Sequence, residues 1–238
     1  MYCNIMFDKY YFDNYDHFKL PLSFKTTIGL GVPVLGKGIG SIRSLPLIKY
    51  LIPTLNSTIS SNDLENFRYV LYIGFDRNDN FFKKYKNRVE VLKYIEKYFP
   101  GQRILAMSEG CDYFYQLNDD VKFLDEGWSD KFTRSLSLNE DFGVVGPCDI
   151  VWNCKLLTQA MVSRKHYEIF GWLYPVEIKD WFSDNWLTNV YGGLKQCSKS
   201  IRIQNIRKGG SRYAQCRKPR WRYLVEQYKS KIPRLDNV

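Results

Sequence analysis

Apolar segments of strand length alternate with amphipathic segments of helix length through the first half of the chain. The β-branched run TTIGLGVPV (26–34), the run FRYVLYIGF (67–75) and residues 111–117 predict three buried strands. Residues 44–55 and 81–98, which separate these strands, have the apolar spacing of helices. Because connecting helices cover both faces of a parallel sheet, the pattern predicts an α/β fold with a mostly parallel sheet flanked by helices.

Further elements follow from local apolar patterns: helices at 103–110, 127–138 and 180–192, and strands at 142–147 and around 194–206. Ser44 is expected to cap the first helix, with Pro46 near its first turn. Ligands of such sheets bind beyond the carboxyl ends of the strands. A glycine-rich loop (35–40), Asp76 and Asn118–Asp120 are all expected at that edge.

The composition is that of a folded protein without a membrane span. Hydrophobic residues make up 45% of the 238 and aromatic residues 16%, which argues against disorder. No run of eighteen apolar residues occurs, and the N-terminal region does not have the pattern of a signal peptide. A cytoplasmic location is expected, or the Golgi or ER lumen if the sequence is part of a longer protein. Frequent Lys, Asn, Tyr and Ile are typical of AT-rich genomes, such as those of large DNA viruses or protists.

Positive charge is concentrated at the C-terminal end. From Lys199 onward there are twelve Lys or Arg and two acids, which accounts for the whole formal net charge of +10. Such a segment suits single-stranded nucleic acid, a solvated helix face, a diphosphate or an anionic membrane surface. The neutral remainder argues against a dedicated nucleic-acid-binding protein, so a solvated or diphosphate-facing role is favoured.

The six cysteines form no CxxC pair, which argues against a structural zinc site or a redox dithiol. Cys148 and Cys154 could close a small disulfide loop in an oxidising compartment. Buried free thiols are the expected state in a chain of this size.

Two features follow the first two strands. GVPVLGKG (31–38) differs from a phosphate-binding P-loop because Gly38 replaces the hydroxyl residue and Pro33 removes an N–H, so a turn is expected there. Asp76 could accept hydrogen bonds from a base or ribose, or it could be a turn residue with Asp79 as its companion. This stretch supports both interpretations of Asp76 equally.

The third predicted strand ends in Asn118, Asp119 and Asp120. Neighbouring carboxylates repel one another unless a metal ion, a cationic side chain or solvent offsets the repulsion. Hard cations such as Mg²⁺ and Mn²⁺ prefer carboxylate and phosphate oxygens, so this strand end could hold a cation against a diphosphate. A turn or helix-cap pair is the alternative, although a buried strand gives little reason for two surface acids.

The order of these segments resembles the nucleotide-sugar-dependent glycosyltransferases of the GT-A fold. TTIGLGVPV and YIGFDRND resemble the two nucleotide-binding strands, and GVVGP resembles the strand that leads to the acceptor side. MVSRKHYEIFGWLYP followed by DWFSDNWL resembles the stretch that contains the base of inverting members. The resemblance covers roughly residues 25–195 and departs from the family at Asn118, where an acid is usual, and in lacking a late histidine.

The resemblance implies a metal-dependent, inverting transferase that moves a hexose or related sugar from a nucleotide diphosphate sugar, expected to be a UDP-sugar, to a glycan or protein hydroxyl. Asp120 would bind Mn²⁺ or Mg²⁺. Nucleotide-sugar binding would use Pro33, Val34, Asp76, Asn118 and Asp119.

The same resemblance implies one domain in three parts. A Rossmann-like nucleotide-binding half (25–120) would precede an acceptor half (121–198) and a basic extension (199–238) that could contact a membrane surface. No nucleic acid partner is expected.

Inverting transfer needs a base that takes the proton of the acceptor hydroxyl. The aromatic neighbours Trp181, Phe182 and Trp186 are expected to raise the pKa of Asp184 toward the range of a base. A first-turn helix acid is the alternative. With the resemblance, Asp184 is favoured as the base and Asp180 is its rival.

The acceptor side has other candidates. Trp152, in a loop between two cysteines, and Trp181 are expected to contact the acceptor, although Trp152 could equally be core. His166 is expected to be structural or an acceptor contact. Lys37, Arg207 or Arg212 could assist the departing diphosphate.

Two other functions stay open from the sequence. A nucleotidyltransferase also uses strand-end acids and a divalent metal, but the glycine-rich loop lacks the expected Arg-bearing pattern. A basic RNA-binding or membrane-surface module would rely on the C-terminal segment instead.

Overall fold

The computed structural model describes residues 5–6, 25–76, 79–98, 110–178, 182–206 and 221–232. Within these residues eight strands form one curled sheet. The strands are β1 (Ile5–Met6), β2 (Thr26–Val34), β3 (Phe67–Asp76), β4 (Tyr113–Gln116), β5 (Val121–Phe123), β6 (Val144–Asp149), β7 (Ala160–Ser163) and β8 (Lys195–Asn205). Their order across the sheet is β1-β3-β2-β4-β7-β6-β8-β5.

Parallel pairing forms the part of the sheet that the sequence predicts best. β2 pairs in parallel with β3 along its whole length, from Thr26↔Phe67 to Val34↔Phe75, and with β4 on its other side. β6 and β8 are also parallel, whereas β7 and β5 are antiparallel to their neighbours. The predicted α/β class, with one sheet flanked by helices, is confirmed.

Helices cover the sheet: α1 (Ile52–Ser57), α2 (Ser61–Asn66), α3 (Asn80–Lys83), α4 (Tyr85–Tyr98), α5 (Trp128–Ser137), α6 (Arg164–Phe170), α7 (Ser183–Val190) and α8 (Trp221–Lys229). Two groups of buried side chains accompany them. One contains β2, the segment before α1 and the aromatic residues Tyr115, Trp128 and Phe132. The other contains α6, α7 and α8 around Trp186 and Phe170.

The predicted helix at 44–55 is not one regular α-helix. It consists of a 3₁₀ turn (Ile42–Ser44), a π-helix (Leu47–Leu51) and then α1. Pro53 lies at the start of α1 and has no N–H to donate, which breaks the α-helical ladder there. Ser44 does not cap this segment, so that prediction is wrong.

Short elements account for the other differences. β5 has three residues and β7 has four, too few for a clear period in the sequence. α2 begins with a capping box in which Ser60 and Asp63 bind each other's backbone N–H groups. The predicted helix at 103–110 lies, except for Gly110, outside the described residues.

Candidate functional site

The topology brings the predicted site segments to one edge of the sheet. β2, β3 and β4 run in parallel, so their carboxyl ends lie on the same side. β6 and β8 also end there, because β7, which starts at this edge, is antiparallel to both β4 and β6. Pro33 and Val34 are the last two residues of β2, and Asp76 is the last residue of β3. This edge is the expected ligand-binding edge of such a sheet.

Residues Asn118–Asp120 cross this edge between β4 and β5. Asp119 is buried, with 2% of its surface exposed, whereas Asn118 and Asp120 are half-buried. The backbone is fixed at both ends: the N–H of Asn118 donates to Oε1 of Gln159, and the carbonyl of Asp120 accepts from the N–H of Ile206 at 2.8 Å. The backbone that carries Asp119 and Asp120 is thus fixed by the segments before β7 and after β8.

The segment Leu157–Gln159, just before β7, connects three parts of this edge. The N–H of Leu157 donates to Oγ1 of Thr188 on α7 at 3.3 Å. Oγ1 of Thr158 donates to Oδ2 of Asp149, the last residue of β6, at 2.8 Å. With the bond from Asn118 to Gln159, one short segment therefore touches α7, the end of β6 and the acidic segment.

Asp149 is a fully buried acid at the end of β6. Its carboxylate accepts hydrogen bonds from Thr158, from Nδ2 of Asn205 at 3.1 Å and from the N–H of Val151 at 3.0 Å. Three donors on three chain segments satisfy this carboxylate, so Asp149 organises the edge from within the protein.

A disulfide closes the loop from Cys148 to Cys154. The expectation of free thiols is therefore wrong for this pair: the turn after β6 brings the two Cα atoms to 4.4 Å, within the range for a disulfide. The loop exposes three consecutive apolar side chains: Ile150 (43%), Val151 (38%) and Trp152 (43%). Trp152 is therefore not a core residue.

Asp184 lies in the first turn of α7. Helix α7 begins beside the end of β4, where Nε2 of Gln116 is 3.5 Å from Oγ of Ser183. Burial raises the pKa of the Asp184 carboxyl group, and N–H donors from Asn185 and from Asp184 itself lower it in part. The predicted direction of this pKa shift is confirmed.

The residue before α7 has a strained backbone. Phe182 has φ of 77°, in the left-handed region that a non-glycine residue rarely adopts. Its ring stacks on Trp221 of α8, with ring centroids 6.5 Å apart and planes 13° from parallel. The C-terminal helix thus contacts the residue from which the helix of Asp184 begins.

A cleft of about 980 Å³ adjoins the ends of β2 and β3. It lies between residues 35–42, which include the exposed Lys37, and residues 79–90. Asp79 holds these walls together, because it accepts from the N–H groups of Gly36 and Phe81. A Cβ at position 36 would lie 2.6 Å from Cβ of Phe81, so the close contact requires glycine there. The predicted turn in this loop is confirmed.

His166 is fully buried in an aromatic cluster. Its Nδ1 lies 2.8 Å from the hydroxyl of Tyr191, and its Nε2 lies 2.9 Å from the carbonyl of Leu173. Burial lowers its pKa to about 4, so the ring is neutral at pH 7. Of the two predicted roles for His166, the geometry supports the structural one.

Other predicted residues lie outside the part of the chain that the structure describes: Asp180, Trp181, Arg207, Arg212 and the side chain of Asp76. Part of the basic extension is described, since α8 buries Leu224 and Val225 and exposes Arg222 and Lys229. This agrees with the predicted helix that has a solvated cationic face.

Sequence reasoning missed Asp149 and Gln159. Asp149 follows the buried strand β6 as Asp76 follows β3, so the same strand-then-acid pattern could have found it. Gln159 gives no such signal, because it lies in an irregular segment and binds a backbone group 41 residues away.

Asp119 and Asp120 provide carboxylate oxygens, the ligand type that Mg²⁺ and Mn²⁺ prefer. Mg²⁺ is commonly bound through one or two carboxylates, with water and substrate phosphates completing its coordination. Among the described residues no group of three or more His, Cys, Asp or Glu could form an all-protein site.

No helix in the described part of the chain is long and apolar enough to cross a bilayer.

No protein-family model matches the sequence, and no curated protein matches it. Among solved structures, residues 1–349 of TarS from S. aureus give a TM-score of 0.50 at 11% identity, over 90% of this chain and 67% of that one. The same fragment with UDP-GlcNAc gives 0.52 at 9% identity, over 90% and 68%.

A mannosyltransferase from Pyrobaculum calidifontis, in complex with GDP-Man and Mn²⁺, gives a TM-score of 0.52 at 10% identity, over 79% of this chain and 59% of that one. The present chain thus spans about two thirds or less of the length of these proteins. At such identities the likeness concerns the fold, and the chain has the GT-A fold of these glycosyltransferases.

Proposed function

We propose that the protein is a metal-dependent glycosyltransferase that moves a hexose or related sugar from a nucleotide diphosphate sugar to an acceptor hydroxyl, with inversion at the anomeric carbon. The observation that supports this most is the position of Asp184. A carboxyl group with a raised pKa begins α7 beside β4, the strand that leads into Asp119 and Asp120. A proton acceptor, and on the same edge an acid pair that could hold a cation against the diphosphate, are what metal-dependent inverting sugar transfer requires.

In this proposal the donor lies along the edge from β2 to β4. Pro33, Val34 and Asp76 would contact the nucleoside near the cleft at residues 35–42. Asp120 would hold Mg²⁺ or Mn²⁺ together with the diphosphate. Asn118 and Asp119 would lie nearer the ribose or the sugar. When bound, the cation would offset the negative charge that develops on the departing diphosphate.

Asp184 would act as the base. Its carboxylate would accept the proton of the acceptor hydroxyl while that oxygen forms a bond to the anomeric carbon. The bond from this carbon to the diphosphate oxygen would break on the opposite face, and the nucleoside diphosphate would leave with the bonding electron pair. Lys37, Arg207 or Arg212 would assist that departure.

The acceptor would bind beside the disulfide-closed loop. Trp152 and Trp181 would offer flat apolar faces to a glycan or to a protein segment with the acceptor hydroxyl. Ile150 and Val151 extend the exposed apolar surface of Trp152. The basic extension would contact the diphosphate or a membrane surface.

The compared structures support the choice of donor. One contains UDP-GlcNAc and another GDP-Man with Mn²⁺. A UDP-sugar is the first donor to test, and a GDP-sugar is the second.

Calorimetry with UDP-GlcNAc, UDP-glucose and GDP-mannose, with and without Mn²⁺, tests the proposal. We expect at least one donor to bind in a Mn²⁺-dependent manner, and Asp120→Ala to weaken that binding at least about tenfold. Asp130→Ala is the matched control, because Asp130 forms an exposed ion pair with Arg134 on α5. If no donor binds the folded protein, the glycosyltransferase proposal is wrong.

A further inference from the structure

In the side-chain amide of Gln159 the oxygen forms a hydrogen bond and the nitrogen does not. The residue is 1% exposed, and its Oε1 accepts the N–H of Asn118. Its Nε2 is buried and has no hydrogen-bond partner among the described residues. Because a buried donor without a partner is unfavourable, native proteins rarely leave one unless water or a ligand satisfies it.

The surroundings of Gln159 hold this amide in place. Its neighbours Thr158 and Leu157 are bound to Asp149 and Thr188, respectively. A Cβ at Gly146 would clash with the main-chain oxygen of Gln159, so β6 packs directly against this backbone. A flip of the amide would place Nε2 against the N–H of Asn118, donor against donor. The unpaired N–H groups are therefore fixed beside the acidic segment.

The position of Gln159 separates it from two tryptophans that also have a buried donor without a partner. Nε1 of Trp128 and Nε1 of Trp186 lie within aromatic clusters of the two cores. Gln159 instead lies at the ligand-binding edge, in contact with the first residue of Asn118–Asp120. An amide nitrogen donates hydrogen bonds only, so the partner that it lacks is an acceptor oxygen.

We propose that Gln159 is a donor-substrate-binding residue: Nε2 donates to an oxygen of the diphosphate–sugar portion of the bound nucleotide sugar, while Oε1 holds the backbone of Asn118. Because Nε2 is buried, the proposal requires side chains at this edge to shift when the ligand binds, and Asn118 and Asp120 are only half-buried. The inference rests on the proposed transferase function. It adds Gln159, the residue just before β7, to the residues that would bind the donor.

Two substitutions at this position separate a ligand contact from a purely structural role. Gln159→Met removes both hydrogen-bonding atoms at a similar volume. Gln159→Glu keeps an oxygen to accept from Asn118, replaces the donor with a second oxygen and adds a carboxyl group, whose general effect on a phosphate ligand is measured by the binding of the monophosphate. Gln196→Met is the matched control, because Gln196 is a half-buried glutamine on β8 that donates to the carbonyl of Ser135. Thermal unfolding of each variant shows whether the fold is retained.

The probes are UMP, UDP and UDP-GlcNAc, with GMP, GDP and GDP-mannose as the second set, in calorimetry with Mn²⁺. We expect both Gln159 variants to lose at least about tenfold in affinity for the nucleotide sugar and to bind the monophosphate as the wild type does. An equal loss for the diphosphate identifies a phosphate oxygen as the partner, and a loss confined to the nucleotide sugar identifies a sugar oxygen.

Other results overturn the inference. If Gln159→Glu binds the nucleotide sugar like the wild type and only Gln159→Met is weakened, Gln159 merely positions Asn118. If both variants bind like the wild type, Gln159 has no role at the site. If the wild type itself binds none of the probes, the transferase proposal fails and the role of Gln159 fails with it.

Discussion

Asp184 owes its chemistry to two opposing influences on one carboxyl group. Burial disfavours its charged form and raises its pKa, whereas N–H donors in the first turn of α7 favour the carboxylate. The net result is a group that is a better proton acceptor than an exposed aspartate. The same position also makes it a first-turn helix acid, so the two interpretations of this residue are compatible.

We expect Asp184→Asn to lower kcat for sugar transfer about 10²–10⁴-fold, because the amide cannot accept the hydroxyl proton. Nucleotide-sugar affinity, measured by calorimetry, should stay within about twofold of the wild type. In the wild type, kcat/KM for the acceptor should rise with pH through the raised pKa of Asp184 and then level off. A variant with wild-type kcat, or an unchanged pH profile in the residual activity, would contradict the role of Asp184 as base.

His166 predicts a pH dependence of stability. Its pKa is about 4 in the folded protein, below the ordinary value of 6.5. As the pH falls below 6.5 the unfolded chain takes up the proton first, so the free energy of unfolding falls until about pH 4. The full effect of this shift is about 3 kcal/mol.

Urea unfolding of the wild type and of His166→Gln between pH 4 and 7 measures this effect. The variant should be less stable at pH 7, since it loses contacts with Tyr191 and Leu173. The difference between the two proteins should shrink as the pH falls. Asp184 acts in the opposite direction, because its raised pKa makes the folded state bind protons first, but it is present in both proteins. A pH-independent difference would show that His166 does not titrate as inferred.

At the scale of elements, the loop between Cys148 and Cys154 behaves as one unit. The disulfide fixes both ends, and the N–H groups of Trp152 and Cys154 both donate to the carbonyl of Asp149. The exposed side chains of Ile150–Trp152 are thus presented on a closed loop at the edge of the sheet. Such a loop can bind an acceptor without first becoming ordered.

We expect Trp152→Ala to raise KM for the acceptor about tenfold while the affinity for the nucleotide sugar stays unchanged, because a stacking surface is lost. Leu138→Ala is the control, since Leu138 is 84% exposed at the end of α5. Initial-rate kinetics with varied acceptor, together with calorimetry of the donor, separate the two effects. An unchanged KM would place the acceptor elsewhere.

The elements that could be predicted from the sequence are those with a long apolar pattern, such as the continuous apolar run of a buried parallel strand. β2 and β3 are nine and ten residues long and pair with each other in parallel, so their apolar runs are long and continuous. β5, with three residues, depends on pairing with β8, which starts more than seventy residues later. The break before α1 depends on Pro53, which interrupts an apolar pattern that otherwise has helical spacing.

At the scale of the whole molecule, the α/β class and the meeting of the carboxyl ends of β2, β3 and β4 at one edge could be predicted, because strand direction alone decides which ends meet. The residues that complete that edge could not, because Asp149 and Gln159 act through partners from distant parts of the chain. The disulfide was missed for a related reason: spacing permits the bond, but only the turn after β6 brings the cysteines together. The division into two halves and a basic extension stays a prediction.

The stacking of Phe182 on Trp221 has a genetic consequence. A premature stop codon between positions 213 and 220 would leave the sequence of all the described strands, and of the edge where β2, β3 and β4 end, intact. It would nevertheless remove the ring that covers the strained residue ahead of α7. Nonsense alleles that retain Arg212 but remove α8 should therefore be inactive, although every residue assigned to chemistry is still translated.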